Sequence, residues 1–102
     1  MIARMWHGRV PSAKAAAYRE FLMGRAIPDY RSAPGNLNVH ILERPDGEIT
    51  HFVTLTFWEN LAVVRGFAGE DVDAAKYYPE DKDFLLEFEA RVIHYEVVGM
   101  AP

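Results

Sequence analysis

Four histidines, His7, His40, His51 and His94, are the only side chains of this 102-residue sequence whose ordinary pKa lies near neutrality. A general base is therefore sought first among them. His40 stands in an alternating run in which Asn38, His40 and Leu42 share one side. A base there could take the proton of a bound phenol or hydroquinone, whose electron-rich anion then reduces dioxygen without metal or flavin. The plainer reading is a wall imidazole hydrogen-bonded to Asn38 or to the backbone. His94 alternates with Glu96, and residues two apart on a strand point the same way, so the carboxylate could orient the ring or raise its pKa. The rival is an ion pair at an interface, with Arg4 as partner. His7 and His51 fall on the opposite parity or near strand ends, where solvated or capping roles are the default. Trp6 and Trp58 could stack on a planar substrate or serve as packing. Arg4 and Asn38 could hold a quinone or carboxylate oxygen.

The elements that must position these groups follow from periodicity and turn chemistry. Ile2 to Val10 reads as a strand, with Ile2, Arg4 and Trp6 on one side and Ala3, Met5 and His7 on the other. Ser12 is placed as N-cap of a helix running from Ala13 towards Ile27, ended by Pro28, with Tyr18, Phe21, Leu22 and Arg25 on one stripe. Ala33-Pro34-Gly35 marks a turn before a second strand, Leu37 to Arg44. Pro45-Asp46-Gly47 reads as a hairpin turn into a third strand, Ile49 to Trp58. Glu59 and Asn60 offer caps for a helix carrying Leu61, Val64, Phe67 and Ala68 on one face, with Gly69 as its stop. Short helical turns are expected around Val72 to Tyr78 and Phe84 to Phe88, broken at Pro79. A last strand covers Arg91 to Met100.

This order, βαββαβ, predicts an α+β ferredoxin-like fold over residues 1–102 as one domain: an antiparallel sheet with two helices on one face. The absence of cysteine excludes disulfides, thiolate nucleophiles and Cys-type zinc or iron–sulfur sites. No phosphate-binding glycine motif for flavin or nicotinamide is present, so no cofactor is expected. Up to His51 there are seven Lys/Arg and five Asp/Glu, and from Phe52 onward four against ten. With no basic face to neutralise phosphates, a nucleic-acid partner is not expected. No apolar run reaches membrane-spanning length, and Arg4 and His7 interrupt the first apolar stretch, so a soluble, cytoplasmic protein with no membrane partner is expected.

The wholly apolar strand faces, Leu37, Val39 and Ile41, then Val53, Leu55 and Phe57, then Ile93, Tyr95 and Val97, are the natural seat for the helices. On that assignment the other face stays open. It collects Arg4, Trp6, Asn38, His40, Leu42, Phe52, Thr54, Thr56, Trp58, Val92, His94, Glu96 and Val98, too aromatic a set for a solvated surface. A second copy is expected to cover it, giving a homodimer whose facing sheets enclose a small-molecule site. Within that site His40 and His94 are the candidate catalytic groups. Arg4, Trp6, Asn38, Phe52, Thr54, Trp58 and Glu96 are the candidate substrate contacts. A metal held by His40, His94 and Glu96 would need strands two and four, at opposite sheet edges, to meet across the dimer, and no metal is expected.

Several segments carry a family resemblance. Pro34-Gly35-Asn36-Leu37 enters strand two, Thr54-Leu55-Thr56-Phe57-Trp58-Glu59 closes strand three, and Tyr77-Tyr78-Pro79-Glu80-Asp81 precedes Phe84-Leu85-Leu86. With the element order, they resemble the antibiotic biosynthesis monooxygenase family. The resemblance implies a dimeric α/β barrel and an oxygenase-type reaction on a small aromatic or quinol-type substrate. The same superfamily also holds haem degraders, isomerases and proteins without known activity. Its haem degraders use a Trp on the second helix, a His ten residues later and an Asn on the first strand. Here Phe67 and Tyr77 stand at the first two positions and the first strand has no Asn, which disfavours haem degradation. A non-catalytic ligand-binding or regulatory dimer using the same cavity is the alternative.

Overall fold

The computed structural model describes residues 1–102. Strand β1 (Ile2–Pro11) leads into a helical run made of a 3₁₀ turn (Ser12–Lys14), α1 (Ala15–Phe21), a π turn (Leu22–Ala26) and α2 (Ile27–Ser32). β2 (Asn36–Asp46) and β3 (Ile49–Trp58) form a hairpin, followed by α3 (Leu61–Ala68), a 3₁₀ turn (Pro79–Asp83) and β4 (Ile93–Glu96). The sheet order is β2-β3-β1-β4, antiparallel throughout, with the helices on one face: the ferredoxin-like α+β arrangement. β2 and β4 are the two edges. No helix is long and apolar enough to cross a membrane.

Local chemistry accounts for most boundaries. Gly47 takes φ 63° in the hairpin turn, and Gly69 takes φ 96° where α3 ends. Asn60 caps α3 by accepting from Val63 N–H at 3.0 Å. Gly35, at φ 87°, lets the chain pass so close to Val63 that a Cβ would lie 2.5 Å from that side chain.

Four expectations are corrected. Pro28 does not end the first helix. The chain widens into a π turn over the preceding residues and continues helically to Ser32, which spares Pro28, lacking an N–H, the usual steric conflict with the previous turn. Ser12 makes no cap bond; its hydroxyl donates to Gly47 O and pairs with Thr50 Oγ1, tying the start of the helical run to the β2–β3 turn. Pro79 opens a 3₁₀ turn instead of breaking two helical stretches. The last strand is confined to Ile93–Glu96.

The largest correction concerns the sheet faces. Cross-strand pairs Arg4↔Thr56, Trp6↔Thr54 and Gly8↔Phe52 put these residues on one side, and that side is buried under the helices. The apolar residues Val53, Leu55 and Phe57 lie on the other, uncovered side with Met5, His40, Leu42, Ile93 and Tyr95. Tyr95 and Ile93 are each 54% exposed. In β2 a register shift between Asn36 and Asn38 makes Leu37 a bulge, after which Val39 and Ile41 point to the helices. The mixed face can be the buried one because most of its polar groups find partners inside: Trp58 Nε1–H donates to Thr56 Oγ1 at 2.8 Å, and the Tyr30 hydroxyl meets Thr54 Oγ1 at 3.3 Å.

Candidate functional site between the helices and the sheet

Between the helical run and the buried sheet face lies a pocket of about 10 Å³, the size of one water molecule. Trp6 and Thr54 reach it from the sheet; Tyr18, Leu22, Ala26 and Tyr30 from the helical run; Lys76, Tyr78 and Asp81 from the segment after α3. The π turn matters here because Leu22 and Ala26 are its first and last residues, and both are buried. Widening the helix at this point shifts which side chains face the sheet, a device common beside functional sites.

Asp81 is the acid of the pocket. It is buried, its Oδ1 accepts from the Tyr18 hydroxyl at 2.9 Å and its Oδ2 accepts from Tyr78 N–H at 2.7 Å. Burial pushes its carboxyl above the ordinary value, only partly offset by those two donors. Burial beside Asp81 also raises the Tyr18 phenol. Asp29, on α2, accepts from the Tyr78 hydroxyl at 2.6 Å and from Lys76 Nζ at 3.1 Å. Burial pushes Asp29 up, but these donors and the charges of Lys76 and Arg25 together hold it below its ordinary value. Arg25 lies 4.8 Å over the Tyr78 ring. The 76–81 segment is thus latched to α2 by the Asp29 carboxylate and to the π turn by the Arg25 cation–π contact. Trp6 stands edge-on to Tyr77 at 6.1 Å, and its Nε1–H is buried without a hydrogen bond.

A second buried cluster lies towards β4. The guanidinium of Arg4 donates to Val72 O at 2.7 Å and Ala74 O at 3.2 Å, and faces His94 Nε2 at 3.3 Å. Since an arginine can only donate, His94 Nε2 is the acceptor and its Nδ1–H donates to Asp73 Oδ1 at 2.7 Å. The carboxylate that orients His94 is therefore Asp73. Glu96, the partner expected from spacing, is exposed and makes no side-chain hydrogen bond, being the last residue of the edge strand β4. Both nitrogens of His94 are committed, one of them to a cation, and the ring does not line the pocket.

The candidate site residues thus divide. Trp6 and Thr54 line the pocket; Phe52 and Trp58 back it from the core, Phe52 edge-on to Tyr18 at 5.1 Å and Trp58 edge-on to Tyr30 at 6.5 Å. Arg4 and His94 share the buried face in their own cluster. Asn38 and His40 are exposed on the opposite face, where His40 packs edge-on to Phe57 at 6.0 Å. The expectation that His40 faces one cavity with Trp6 is corrected: β3 pairs His40 with Leu55 and Trp6 with Thr54, residues of opposite parity. Tyr18, Tyr30 and Asp81 are site residues that spacing alone does not single out, and Tyr78 lies in the Tyr77-Tyr78-Pro79 stretch that from sequence reads either as part of a solvated acidic run or as a lid over the pocket mouth. Tyr18 was on the helix stripe read from sequence, and Asp81 sits in a run that looks like a solvated acidic turn.

No family model matches the sequence, and no curated protein is a significant match. Solved structures do match. A candidate antibiotic biosynthesis monooxygenase from Nitrosomonas europaea superposes with TM-score 0.69 at 18% identity, covering 97% of this chain and 100% of that one. The haem degrader MhuD from Mycobacterium tuberculosis, solved with two haems in its active site, gives 0.68 at 19% identity over the full length of both. A candidate antibiotic biosynthesis monooxygenase from Bacillus cereus gives 0.67 at 13% identity, covering 98% and 97%. The expected fold is therefore that of monooxygenase-type proteins and a haem degrader.

Haem does not fit this chain's helix–sheet space. Phe67 stacks on Tyr30 at 4.7 Å and packs on Trp58 at 5.3 Å. Tyr77 donates its hydroxyl to Glu89 O and packs edge-on to Phe88 at 4.9 Å.

Proposed function

We propose that this chain is a homodimeric, monooxygenase-like protein that takes a small anthrone- or quinol-type molecule between the helical run and the sheet, without a cofactor. The observation that carries the reading is a carboxylate, Asp81, buried beneath the π turn in a pocket that it shares with Trp6 and three phenols, Tyr18, Tyr30 and Tyr78. A carboxylate whose proton affinity is raised by burial is a stronger base than one in water. Asp81 takes the role first given to His40, which lies on the far side of the sheet. The substrate CH₂ loses a proton to Asp81, the carbanion takes up dioxygen, and loss of water from the hydroperoxide leaves a carbonyl. One oxygen atom enters the product and the other leaves as water. Trp6 and Tyr30 are the walls, and entry of the ring requires the Tyr78 side of the pocket to release its bond to Asp29 while Asp81 keeps its bond to Tyr18.

The homodimer rests on the uncovered sheet face. Leu42, Ile93 and Tyr95 are exposed there beside Val53, Leu55 and Phe57, and a second copy packed face to face is the economical cover. His40 then belongs to the interface and not to the pocket.

Oxygen uptake with a panel of anthrones and hydroquinones tests the reading. Turnover should fall by roughly 10²- to 10⁴-fold in Asp81→Asn and stay within about twofold in His40→Ala. Loss of turnover in His40→Ala alone would return the base to the open face. The small pocket, with its acid already doubly bonded, favours one second reading, a non-catalytic binding protein. Saturable binding without oxygen uptake would select it.

A further inference from the structure

We propose that His7 and His51 form a two-imidazole site for a divalent transition-metal ion, zinc or copper, on the sheet face opposite the pocket. His7 Nε2 lies 3.0 Å from His51 Nδ1, and the ring centres are 5.2 Å apart. Two imidazoles bound about 2.05 Å from one tetrahedral ion have nitrogens roughly 3.4 Å apart and ring centres about 5.2 Å apart. The rings therefore stand at the right separation, and each needs only to turn in place to aim its lone pair at a shared ion.

What distinguishes this pair from two neighbouring surface rings is the group behind each one. His7 Nδ1 contacts Glu89 Oε2 at 2.5 Å, and His51 Nε2 lies 3.5 Å from Asp46 Oδ2. A carboxylate behind the non-ligating nitrogen fixes the tautomer that frees the other nitrogen for a metal. With protons on His7 Nδ1 and His51 Nε2, both neutral rings present lone pairs to each other across 3.0 Å, an arrangement that is repulsive unless a cation sits between them. Without metal, the His51 proton moves to Nδ1 and donates to His7 Nε2, and the contact with Asp46 weakens. Binding an ion thus needs a tautomer change at one ring.

The strands hold the rings in place. His7 pairs with Val53 and His51 with Arg9, so the histidines sit diagonally on adjacent strands of one face. The side chains are 34% and 19% exposed, and a cleft of about 270 Å³ lined by both rings, Leu42, Arg44 and Val53 opens beside them at the hairpin end of the uncovered face, where it shares Leu42 and Val53 with the proposed dimer patch centred on Leu55. Two protein nitrogens leave the remaining positions to water or to an anionic ligand, for which the Arg44 guanidinium is the neighbouring cation.

The test is titration of untagged, chelator-treated protein with Cu²⁺, Ni²⁺ and Zn²⁺ by calorimetry. We expect one ion per chain, with Cu²⁺ tightest. His7→Ala and His51→Ala should each abolish saturable binding, His40→Ala should leave it unchanged, and Glu89→Gln should weaken it by roughly 10- to 100-fold. The paramagnetic resonance of bound Cu²⁺ should carry hyperfine coupling from two imidazole nitrogens, a readout on the wild-type chain that needs no variant to fold. No saturable uptake at millimolar metal, undiminished binding in His51→Ala, or a one-nitrogen or oxygen-only copper spectrum would overturn the site.

Discussion

Replacing Arg4 by Met tests whether the guanidinium is what fixes the segment after α3 to the sheet. Arg4 is 1% exposed, donates to Val72 O and Ala74 O, faces His94 Nε2, and lies 5.9 Å from the Phe67 ring centre. Methionine fills much of the stem's volume but donates nothing, so two carbonyls and one imidazole nitrogen lose their partner. Each group left unsatisfied in the interior costs about 1–3 kcal/mol, and the lost desolvation of the guanidinium offsets part of the sum. A net destabilisation of about 3–5 kcal/mol follows. At roughly 4–8 °C per kcal/mol for a domain of this size, Tm should fall by about 12–40 °C. Urea unfolding gives the free energy, and amide exchange gives its location: the bonds Ala75 N to Ala90 O and Val92 N to Asp73 O should lose protection first. Arg4→Lys should be intermediate, because one ammonium cannot span both carbonyls in the planar fork. A Met variant within about 1 kcal/mol of wild type would refute the reasoning, since it would mean that these carbonyls reach water without Arg4.

Three other outcomes follow from the same structure. Because Asp81 has a raised pKa in the folded chain, its ionisation penalises folding as pH rises from the unfolded-state value through the folded one; Asp81→Asn, compared with wild type by urea unfolding, should gain relative stability from pH 4 to 7, and a relative loss would show that the carboxylate's bonds outweigh its burial. Gly8→Ala places a Cβ 2.5 Å from the Trp6 ring and 2.9 Å from Leu85, so it should cost about 1–3 kcal/mol and alter Trp fluorescence, whereas an unchanged melting curve would mean that the indole moves freely. Leu55→Arg, at the centre of the uncovered face, should convert the proposed dimer to a folded monomer in sedimentation; a dimer that persists would place the interface elsewhere.

The element order was legible because each boundary is set by local chemistry: Asn60 as a cap, Gly47 and Gly69 at positive φ, Pro45-Asp46-Gly47 in the hairpin. The first helix was misread at Pro28 because its steric rule assumes α geometry, and a π turn relaxes it. The candidate pocket was half legible. Trp6, Phe52, Thr54 and Trp58 were grouped correctly by parity, but Asp81 and Tyr78 come from a segment with little periodicity, brought to the pocket by long-range bonds to Tyr18 and Asp29.

The inverted sheet faces have a more general cause. Alternation says which residues share a side of a strand; it does not say what covers that side. Val53, Leu55 and Phe57 are wholly apolar, so hydrophobicity alone assigns them to the helices, yet the helices lie on Arg4, Thr54, Thr56 and Trp58. A face with polar groups can be the better buried one when most of them have internal partners, as Thr54 has Tyr30 and Arg4 has the 72 and 74 carbonyls, with only Trp6 Nε1 and Arg4 Nε left unpaired on it. Those partners come from the helical run and from the segment after α3, elements that only one chain's own fold can deliver in register. A purely apolar face needs no such matching and tolerates any apolar cover. The chain therefore carries two sheet faces that both ask to be covered: one specified by hydrogen bonds for its own helices, the other specified only by hydrophobicity. That asymmetry is what a second copy of the same chain would exploit, and it is why the Leu55→Arg experiment bears on the assembly while leaving the pocket's geometry untouched.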